Sequence, residues 1–342
     1  MKVTLKDIAA ELGVSHATIS LALNNSPKVA KATREKVLAK AKEMGYQVSP
    51  YVSALMAARR RGRDLDQAPV IALVTPNRSA DYWKERHHIR RFIESCTETA
   101  GGLGIQTKLF WIGEEGMTAR RMNEIFFHRG IRGAVLMTHG RWGERMDHAW
   151  SDLATVTYGA RELRPNTDWV GADFYGNMEL VLNELIAHKY TKVGFTMDKP
   201  FHYQHHNRWL SAYLKERYYG GIASMEPWLD AQPDFEGFKK WFQKWTPEVI
   251  VCVQPATIIE WLQQLGLRVP QDVSVVTIGT AERGGKLSGI VENTYTCGKL
   301  ALQLLVDRIH RGDFGTYADP YHITVKGKWN PGETLKRSHV AE

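Results

Sequence analysis

Few residues in this 342-residue sequence have the types and spacing that chemistry requires. His202 and His206 lie four positions apart, which could hold a metal ion on a helix, but no third ligand follows at a recognisable spacing. The segment ERGGK (282–286) lacks the order of a phosphate-binding loop, and no Ser/His/Asp or Cys/His set stands out. We therefore expect no catalytic residues, no metal, no cofactor and no enzymatic activity.

The length, cysteines and hydropathy of the chain narrow its class. A chain of this length exceeds what one hydrophobic core supports, so at least two compact units are expected. Cys96, Cys252 and Cys297 lie far apart in apolar segments and predict buried thiols rather than disulfides or a zinc site. No run of about 18 apolar residues is present to span a membrane, and no apolar signal segment follows Met1. These features predict a cytoplasmic protein.

The charge of the chain is concentrated near its N-terminus. Residues 1–63 contain 12 Lys and Arg against 4 Asp and Glu, which accounts for the whole net charge of +8. A basic segment on a neutral body indicates a module that meets a polyanion, either nucleic acid or an acidic membrane surface.

This basic segment carries signals for three short helices. The first begins after Thr4 and ends at Gly13, Ser15 caps the second, and the third covers residues 31–44. The residues expected to face inward on the second and third helices are Ile19, Ala22, Leu23, Val37, Leu38, Ala41 and Met44. A tight glycine-containing turn between two helices is typical of a helix-turn-helix, whose second helix enters the major groove. A small three-helix bundle of another function would show the same helix ends, but the confined positive charge favours DNA.

A fourth short helix is predicted after Tyr46. Pro50 can occupy its first turn, and Val52, Leu55 and Met56 lie on one side of it. Isolated helices shorter than about 12–15 residues are marginal in water, so this helix needs a partner to fold. The run RRRGR (59–63) that follows is either a solvated linker or a set of phosphate contacts.

From Val70 the pattern changes to short apolar runs that alternate with amphipathic stretches. Seven runs predict buried parallel strands at residues 70–76, 106–113, 133–138, 154–159, 192–197, 249–255 and 273–279. Helical stretches separate most of them. The sequence therefore predicts an α/β body with parallel sheets, and its length of about 270 residues favours two sheets over one.

The segments VTLKDIAAELGVSHATISLALNN and TREKVLAKAKEMGYQVSPYVSALM resemble the headpiece and hinge of the lactose-repressor (LacI/GalR) family. Weaker similarity continues through RGIRGAVLM, the stretch from Ala172 to Phe195, GLRVPQDVSVV and CGKLALQLLVDRI, so it covers nearly the whole chain. The resemblance implies a homodimeric transcription regulator. Its fold would be a small all-α helix-turn-helix headpiece plus a two-lobed α/β core like a periplasmic-binding protein, with a ligand cleft between the lobes.

The domain organisation that follows from this resemblance has four parts. The headpiece would cover residues 1–48, and the hinge helix and linker residues 49–68. The N-terminal lobe of the core would consist of residues 69–172 and 290–319, and the C-terminal lobe of residues 173–289 and 320–342. The helices at 90–103 and 297–311 are expected to contribute to the dimer interface.

The resemblance also implies which residues contact double-stranded DNA. The base-reading helix would begin at Ser15 and present His16, Ala17, Thr18, Ser20, Leu21 and Asn24 to a palindromic operator. Thr4, Leu5, Thr33 and Tyr46 match phosphate-contacting positions, and Leu55 matches a leucine that wedges into the minor groove. Leu21 stands where several relatives carry arginine, so this protein is expected to read fewer guanines or a different operator.

In the cleft, the clearest family element is Arg208, which resembles an arginine that binds ligand hydroxyls or carboxylates. The aromatic residues expected near it are Trp83, Tyr203, Trp209 and Trp228, which could stack on a sugar ring. Two ligand-anchoring carboxylates of the family are missing, because Gln254-Pro255 and residues 279–281 stand in their places. The predicted effector is a small carbohydrate-like molecule.

Two other functions remain open at this point. A solute-binding protein would have the same body, but it has no use for a basic headpiece and needs a signal sequence in the periplasm. A regulator that senses no small molecule would explain the missing carboxylates. The reading favoured by the residues is a sequence-specific DNA-binding regulator, with repression as the expected mode.

Overall fold

The structure is a computed structural model that describes residues 5–23, 29–44, 68–75, 79–138, 153–159, 166–199, 205–223, 225–279 and 281–336. The helices are α1 (Leu5–Leu12), α2 (His16–Leu23), α3 (Lys31–Glu43), α4 (Tyr82–Glu85), α5 (His87–Gly102), α6 (Ala119–His128), α7 (Phe174–Ala187), α8 (Arg208–Tyr219), α9 (Phe235–Trp245), α10 (Pro255–Gln264) and α11 (Thr294–Arg311). The strands are β1 (Val70–Thr75), β2 (Gln106–Trp111), β3 (Gly133–Thr138), β4 (Ala154–Gly159), β5 (Asp168–Ala172), β6 (Val193–Asp198), β7 (Trp228–Asp230), β8 (Val249–Cys252), β9 (Ser274–Thr277), β10 (Ser288–Val291), β11 (His322–Val325) and β12 (Lys328–Asn330).

The first three helices form the headpiece that the sequence predicts. Gly13 turns the chain after α1 with a φ of 62°, a left-handed conformation that glycine adopts without strain. The hydroxyl of Ser15 then accepts a hydrogen bond from the backbone N–H of Thr18 at 3.1 Å, which confirms it as the cap of α2. The buried core of this unit consists of Ile8, Ile19, Ala22, Val29, Val37 and Ala41.

One predicted core residue of the headpiece is wrong. Leu38 is 47% exposed, whereas Val37 and Ala41 are buried. Val37 and Ala41 are four positions apart and share one face of α3, while Leu38 is rotated by about 100° from Val37. The expected hinge helix lies outside the described residues.

The predicted pair of α/β sheets is confirmed, with six strands in each sheet. The first sheet has the order β11-β5-β4-β3-β1-β2, and all its pairs are parallel. Its two faces pack on different helices because side chains alternate along each strand. Ile71 and Leu73 pack toward α5 and α11, whereas Ala72 and Val74 pack toward α6. We call this unit the first lobe.

The second sheet has the order β12-β10-β9-β8-β6-β7 and forms the second lobe. Its pairs are parallel except for β10 and β12, which are antiparallel. Val249 and Val251 pack with residues of α7 and α8, whereas Ile250 and Cys252 pack with residues of α9 and α10. The three cysteines are buried and free, as predicted.

Two predicted domain boundaries differ from the sheet membership. β11 pairs with β5 in the first sheet, with His322 opposite Trp169, so residues 322–325 lie in the first lobe rather than the second. β10 lies wholly in the second sheet, so the chain returns to the first lobe between Val291 and Thr294 rather than at residue 290. Both strands have only four residues, and their partners are distant in sequence. β8 and β9 are as short, but they lie within longer continuous apolar runs, whereas β10 and β11 do not.

The helices α5 and α11 pack closely against each other within the first lobe. A Cβ on Gly298 would lie 2.6 Å from the backbone oxygen of Phe92, so only glycine permits this approach. The thiol of Cys96 donates to the backbone oxygen of Gly298 at 3.5 Å. The faces of these helices that touch each other are therefore buried in the lobe.

Candidate functional site: an interlobe cleft and a helix-turn-helix

The carboxyl ends of the parallel strands bring the candidate cleft residues to one edge of each lobe. In open α/β sheets, ligands bind in the crevice beyond these ends. In the second lobe, Arg208 follows β6, Gly279 follows β9, and Glu292 follows β10. In the first lobe, Gly159 ends β4 and Ala172 ends β5. A contact between Arg208 and Trp169 of β5 joins the two edges.

This contact joins the guanidinium of Arg208 to the indole of Trp169. The guanidinium carbon of Arg208 lies 5.4 Å from the centre of the Trp169 ring, within the range of a cation–π interaction. Arg208 is the first residue of α8, and the two residues before it, His206 and Asn207, have φ values of 51° and 57°. These left-handed conformations are unusual outside glycine, and two in succession fix the direction in which α8 begins.

Trp169 is held in place by its own strand and the neighbouring one. Its Nε1 donates to the backbone oxygen of Gly159 at 3.0 Å, and its ring lies over Gly171, where a Cβ would overlap the indole. The absence of a side chain at Gly171 thus lets the ring point toward the carboxyl end of β5. Sequence analysis did not predict Trp169. The spacing Trp-Val-Gly was an available signal, because residues two apart on a strand share a face and glycine leaves room there for a ring.

The predicted aromatic residues are not gathered around Arg208. Trp209 is 2% exposed and packs against Phe174 and His205 in the core of the second lobe. Trp228 packs against Phe238, Trp241 and Trp261 on the other side of the second sheet, and Trp83 packs against the core of the first lobe. Tyr203 lies outside the described residues. These tryptophans therefore stabilise the lobes, and Trp169 takes the place expected for them beside Arg208.

Glu292 is the second charged residue at this edge of the second lobe. A Cβ on Gly279 would lie 2.9 Å from Oε1 of Glu292, so the carboxylate lies against the end of β9. Burial raises the pKa of Glu292 to about 8, and its charge in turn raises the pKa of Tyr158 on β4 of the first lobe. Sequence analysis missed this residue because the predicted carboxylate positions lay at other strand ends.

The predicted DNA-contacting residues fall on the headpiece where the structure describes them. Leu5 lies in α1; His16, Ala17, Thr18, Ser20 and Leu21 lie in α2; and Thr33 lies in α3. Leu21 is 38% exposed, in agreement with the prediction that it points away from the headpiece core, and Thr18 and Thr33 are half-buried. Thr4, Asn24, Tyr46 and Leu55 lie outside the described residues.

Two protein-family models match parts of this chain, and the parts agree with the headpiece and α/β lobes described above. Residues 4–49 match the family described as bacterial regulatory proteins, lacI family, and residues 182–335 match the periplasmic binding protein-like domain. The chain belongs to the lacI family of bacterial regulatory proteins. The matched residues cover the headpiece, most of the second lobe, and α11 and β11 of the first lobe.

Curated relatives of the chain are regulators of the same family. The chain is 23% identical to the transcriptional repressor PurR of Haemophilus influenzae (strain PittEE), over 91% of this chain and 93% of that protein. It is 25% identical to the ribose operon repressor of the same species (strain KW20), over 90% and 92%. The match to the maltose regulon regulatory protein MalI of Escherichia coli (strain K12), 27% identical, spans only 35% of that protein and 40% of this chain.

Solved structures with the same fold cover nearly the whole chain. The transcriptional regulator CelR in complex with cellobiose has a TM-score of 0.60 at 19% identity and covers 97% of this chain and all of its own. The lac repressor dimer bound to operator and the anti-inducer ONPF has a TM-score of 0.57 at 16% identity, over 98% of this chain and all of its own. At these identities the similarity establishes the fold.

The structure also bears on the histidine pair that was considered as a metal site. His206 lies in a turn before α8 rather than on a helix with His202, which is outside the described residues. Within the ranges that the structure describes, no three His, Cys, Asp or Glu side chains are grouped to hold a metal ion. No described helix is both long and apolar enough to cross a membrane.

Proposed function

We propose that this chain is a sequence-specific, DNA-binding transcriptional repressor that acts as a homodimer in the cytoplasm and has no enzymatic activity. The observation that carries the proposal is the helix-turn-helix. Gly13 and Ser15 set the turn, and Ile19 and Ala22 attach α2 to the headpiece core. The opposite side of α2, which includes Leu21, is then available to enter a major groove.

The residues proposed to read bases are those that the family resemblance assigns to the base-reading helix. His16, Ser20 and Asn24 offer hydrogen-bonding groups to base edges, whereas Ala17 and Leu21 offer apolar contacts to thymine methyl groups. Ser15, Thr18, Thr4, Leu5, Thr33 and Tyr46 are proposed to fix the register, with hydroxyl and backbone N–H groups on phosphates. Leu55 from each subunit would wedge into the minor groove at the centre of the operator.

Selection of duplexes from a random library by the full-length protein tests this proposal. We expect enrichment of a palindrome because a two-fold dimer places its two α2 helices on equivalent half-sites. A flexible pyrimidine–purine step is expected at its centre, where a leucine wedge kinks the duplex at least cost. The salt concentration must be fixed near the physiological value, because phosphate contacts make affinity strongly dependent on it. If no sequence is enriched, the headpiece binds DNA only through its charge and the proposal of specific repression fails.

We further propose that a small carbohydrate-like effector binds between the lobes beside Arg208. The five donors of a guanidinium suit ligand hydroxyls or carboxylates, and the ring of Trp169 holds this group at the carboxyl edge of the lobes. The names of relatives support this class of ligand, since one is a ribose operon repressor and one structure is a complex with cellobiose. Closure of the lobes around the ligand would change DNA affinity through the hinge.

A thermal-shift screen of sugars and sugar derivatives tests the effector proposal. A ligand at 100 times its dissociation constant is expected to raise the melting temperature by about 5–10 °C, because it binds only the folded protein. Replacing Arg208 with lysine keeps the charge but removes the planar fork, and we expect about a tenfold loss of affinity for the same ligand.

The matched control is Arg283→Lys, at an exposed position of the loop between β9 and β10, which should leave the shift unchanged. Equal affinities of the wild-type protein and the Arg208→Lys variant would overturn the assignment of Arg208. The absence of a shift with every sugar would favour a regulator that senses no molecule of this class.

A further inference from the structure

Glu292 lies at the carboxyl edge of the second sheet, where open α/β folds bind ligands. It follows β10 directly and precedes α11, so it stands on one of the three segments that connect the lobes. Its carboxylate lies against Gly279, where the missing side chain leaves room at the carboxyl end of β9. β9 and β6 are separated by β8 alone, so this strand end and the one that precedes Arg208 are about 10 Å apart. A small ligand can span that distance.

Glu292 also lies two residues before α11, which packs in the first lobe. Its charge acts on the phenol of Tyr158 in β4 and on the thiol of Cys297 in the first turn of α11. Tyr158 itself is buried and stacks on Phe92 with ring centres 3.6 Å apart, so its position is fixed by the core. Glu292 is thus placed between the two lobes, where an effector would be enclosed when they close.

No hydrogen bond or ion pair joins the Glu292 carboxylate to another residue in the part of the chain that the structure describes. Glu292 is half-buried, so its carboxylate has lost part of the hydration that stabilises its charge, and this desolvation raises its pKa to about 8. A carboxylate whose pKa is shifted by desolvation and that lies at a cleft edge is a candidate for a functional site. A cationic ligand would supply an ion-pair partner.

We propose that Glu292 binds a protonated amine on the effector, so that the ligand class is an amino sugar rather than a neutral sugar. This inference rests on the proposed effector function and narrows it. An ammonium group offers three donors to a carboxylate and forms shorter, stronger hydrogen bonds than a neutral hydroxyl. Arg208 would hold the hydroxyls at the other end of the same molecule.

The pH dependence of binding follows from the groups around the carboxylate. Burial raises the pKa of Cys297 to about 12 and the pKa of Tyr158 well above its ordinary value, so both stay neutral between pH 6 and pH 8. Over this range Glu292 changes from the protonated to the ionised form, which is the form that binds an ammonium group. The ionised fraction of Glu292 is about one half at pH 8 and about one hundredth at pH 6, so affinity for a fully protonated amine should fall by about fiftyfold over this range; loss of the amine proton above its own pKa lowers affinity at the alkaline end.

Isothermal titration of the full-length protein with four probes tests the proposal. The probes are D-glucosamine, D-galactosamine, N-acetyl-D-glucosamine and D-glucose, each at pH 6 and pH 8. We expect at least one amino sugar to bind ten times more tightly than the acetylated and neutral sugars at pH 8. Glu292→Gln, which keeps the shape and removes the charge, should abolish this preference and flatten the pH profile.

Two further variants control the experiment. Glu282→Gln makes the same change at an exposed position of the loop before β10 and should leave the preference intact. Gly279→Ala displaces the carboxylate without removing it, since the new Cβ would lie 2.9 Å from Oε1, and should give an intermediate loss. Melting temperatures confirm that each variant is folded.

The outcomes separate this inference from the proposed function. If neutral and amino sugars bind alike, and Glu292→Gln changes nothing, the amine is excluded while the effector site stands. If none of the four probes binds at either pH, both the amino-sugar assignment and the sugar effector that it narrows are overturned for this class.

Discussion

Replacing Asp168 with asparagine is expected to lower the free energy of unfolding by about 3–5 kcal/mol, because it removes the buried counter-charge of Arg308 and leaves only the partly exposed Asp313, whose Oδ2 lies 3.2 Å from Nη1 of Arg308. Asp168 is fully buried and forms a two-pronged ion pair with Arg308, with Nε–Oδ2 at 2.7 Å and Nη2–Oδ1 at 2.8 Å. Its Oδ1 also accepts from the backbone N–H of Tyr321 at 2.7 Å. The pair connects the last turn of α11 to the start of β5 and to the segment before β11.

The aromatic residues around this ion pair increase the expected effect. The rings of Tyr317 and Tyr321 lie 4.0 and 5.1 Å from the guanidinium carbon of Arg308, so the cation is enclosed on two sides. Thermal unfolding monitored by circular dichroism should show a melting temperature about 10 °C lower for Asp168→Asn, given the size of the core.

A matched control exists on the surface of the second lobe. Arg268 and Asp272 form the same two-pronged geometry at 2.9 and 3.0 Å, but Arg268 is largely exposed to solvent. Exposed pairs are screened by water, so Asp272→Asn should change the melting temperature little. Equal losses in the two variants would show that burial of the Asp168–Arg308 pair has no special role.

Replacing Ile19 with alanine is expected to abolish operator binding while leaving effector binding in place. Ile19 is fully buried where α2 meets the headpiece core, and isoleucine-to-alanine changes at such sites cost about 2–5 kcal/mol. A three-helix unit of this size has a free energy of unfolding of only a few kcal/mol, so a loss of this size unfolds it. Without a folded headpiece, α2 has no fixed position on the DNA.

Fluorescence anisotropy with the selected duplex, at one fixed salt concentration, measures this effect. Leu38→Ala is the matched control, since Leu38 belongs to the same three-helix unit but is 47% exposed, and such changes stay within about 0.5 kcal/mol. The control should bind the operator like the wild-type protein. Unchanged operator binding by Ile19→Ala would show that the headpiece core does not hold α2 in its reading position.

The local elements of this protein were predictable because local rules govern them. Gly13 and Ser15 marked the turn before α2, and the structure has the left-handed glycine and the serine cap at those residues. The seven apolar runs all became strands, because continuous apolar stretches bounded by breakers are typical of buried parallel strands. The basic segment at the N-terminus and the family resemblance then indicated a DNA-binding regulator.

The short strands were not predictable in the same way. β5, β7, β10, β11 and β12 contain three to five residues each, and no apolar run of the length that predicted the other strands covers them. Their place depends on partners far away in sequence, as when His322 of β11 pairs with Trp169 of β5. The domain boundaries near residues 290 and 320 were displaced for that reason.

The sequence by itself determined the class of the protein: a basic helix-turn-helix joined to a two-sheet α/β body of the lacI family. Only the tertiary structure decided which side chains meet between the lobes. Trp169 lies beside Arg208, and Glu292 lies against Gly279 and near Tyr158, although none of these pairs is close in sequence. Caps and apolar periodicity act over a few residues, whereas a binding cleft is built from strand ends that the sheet order alone brings together.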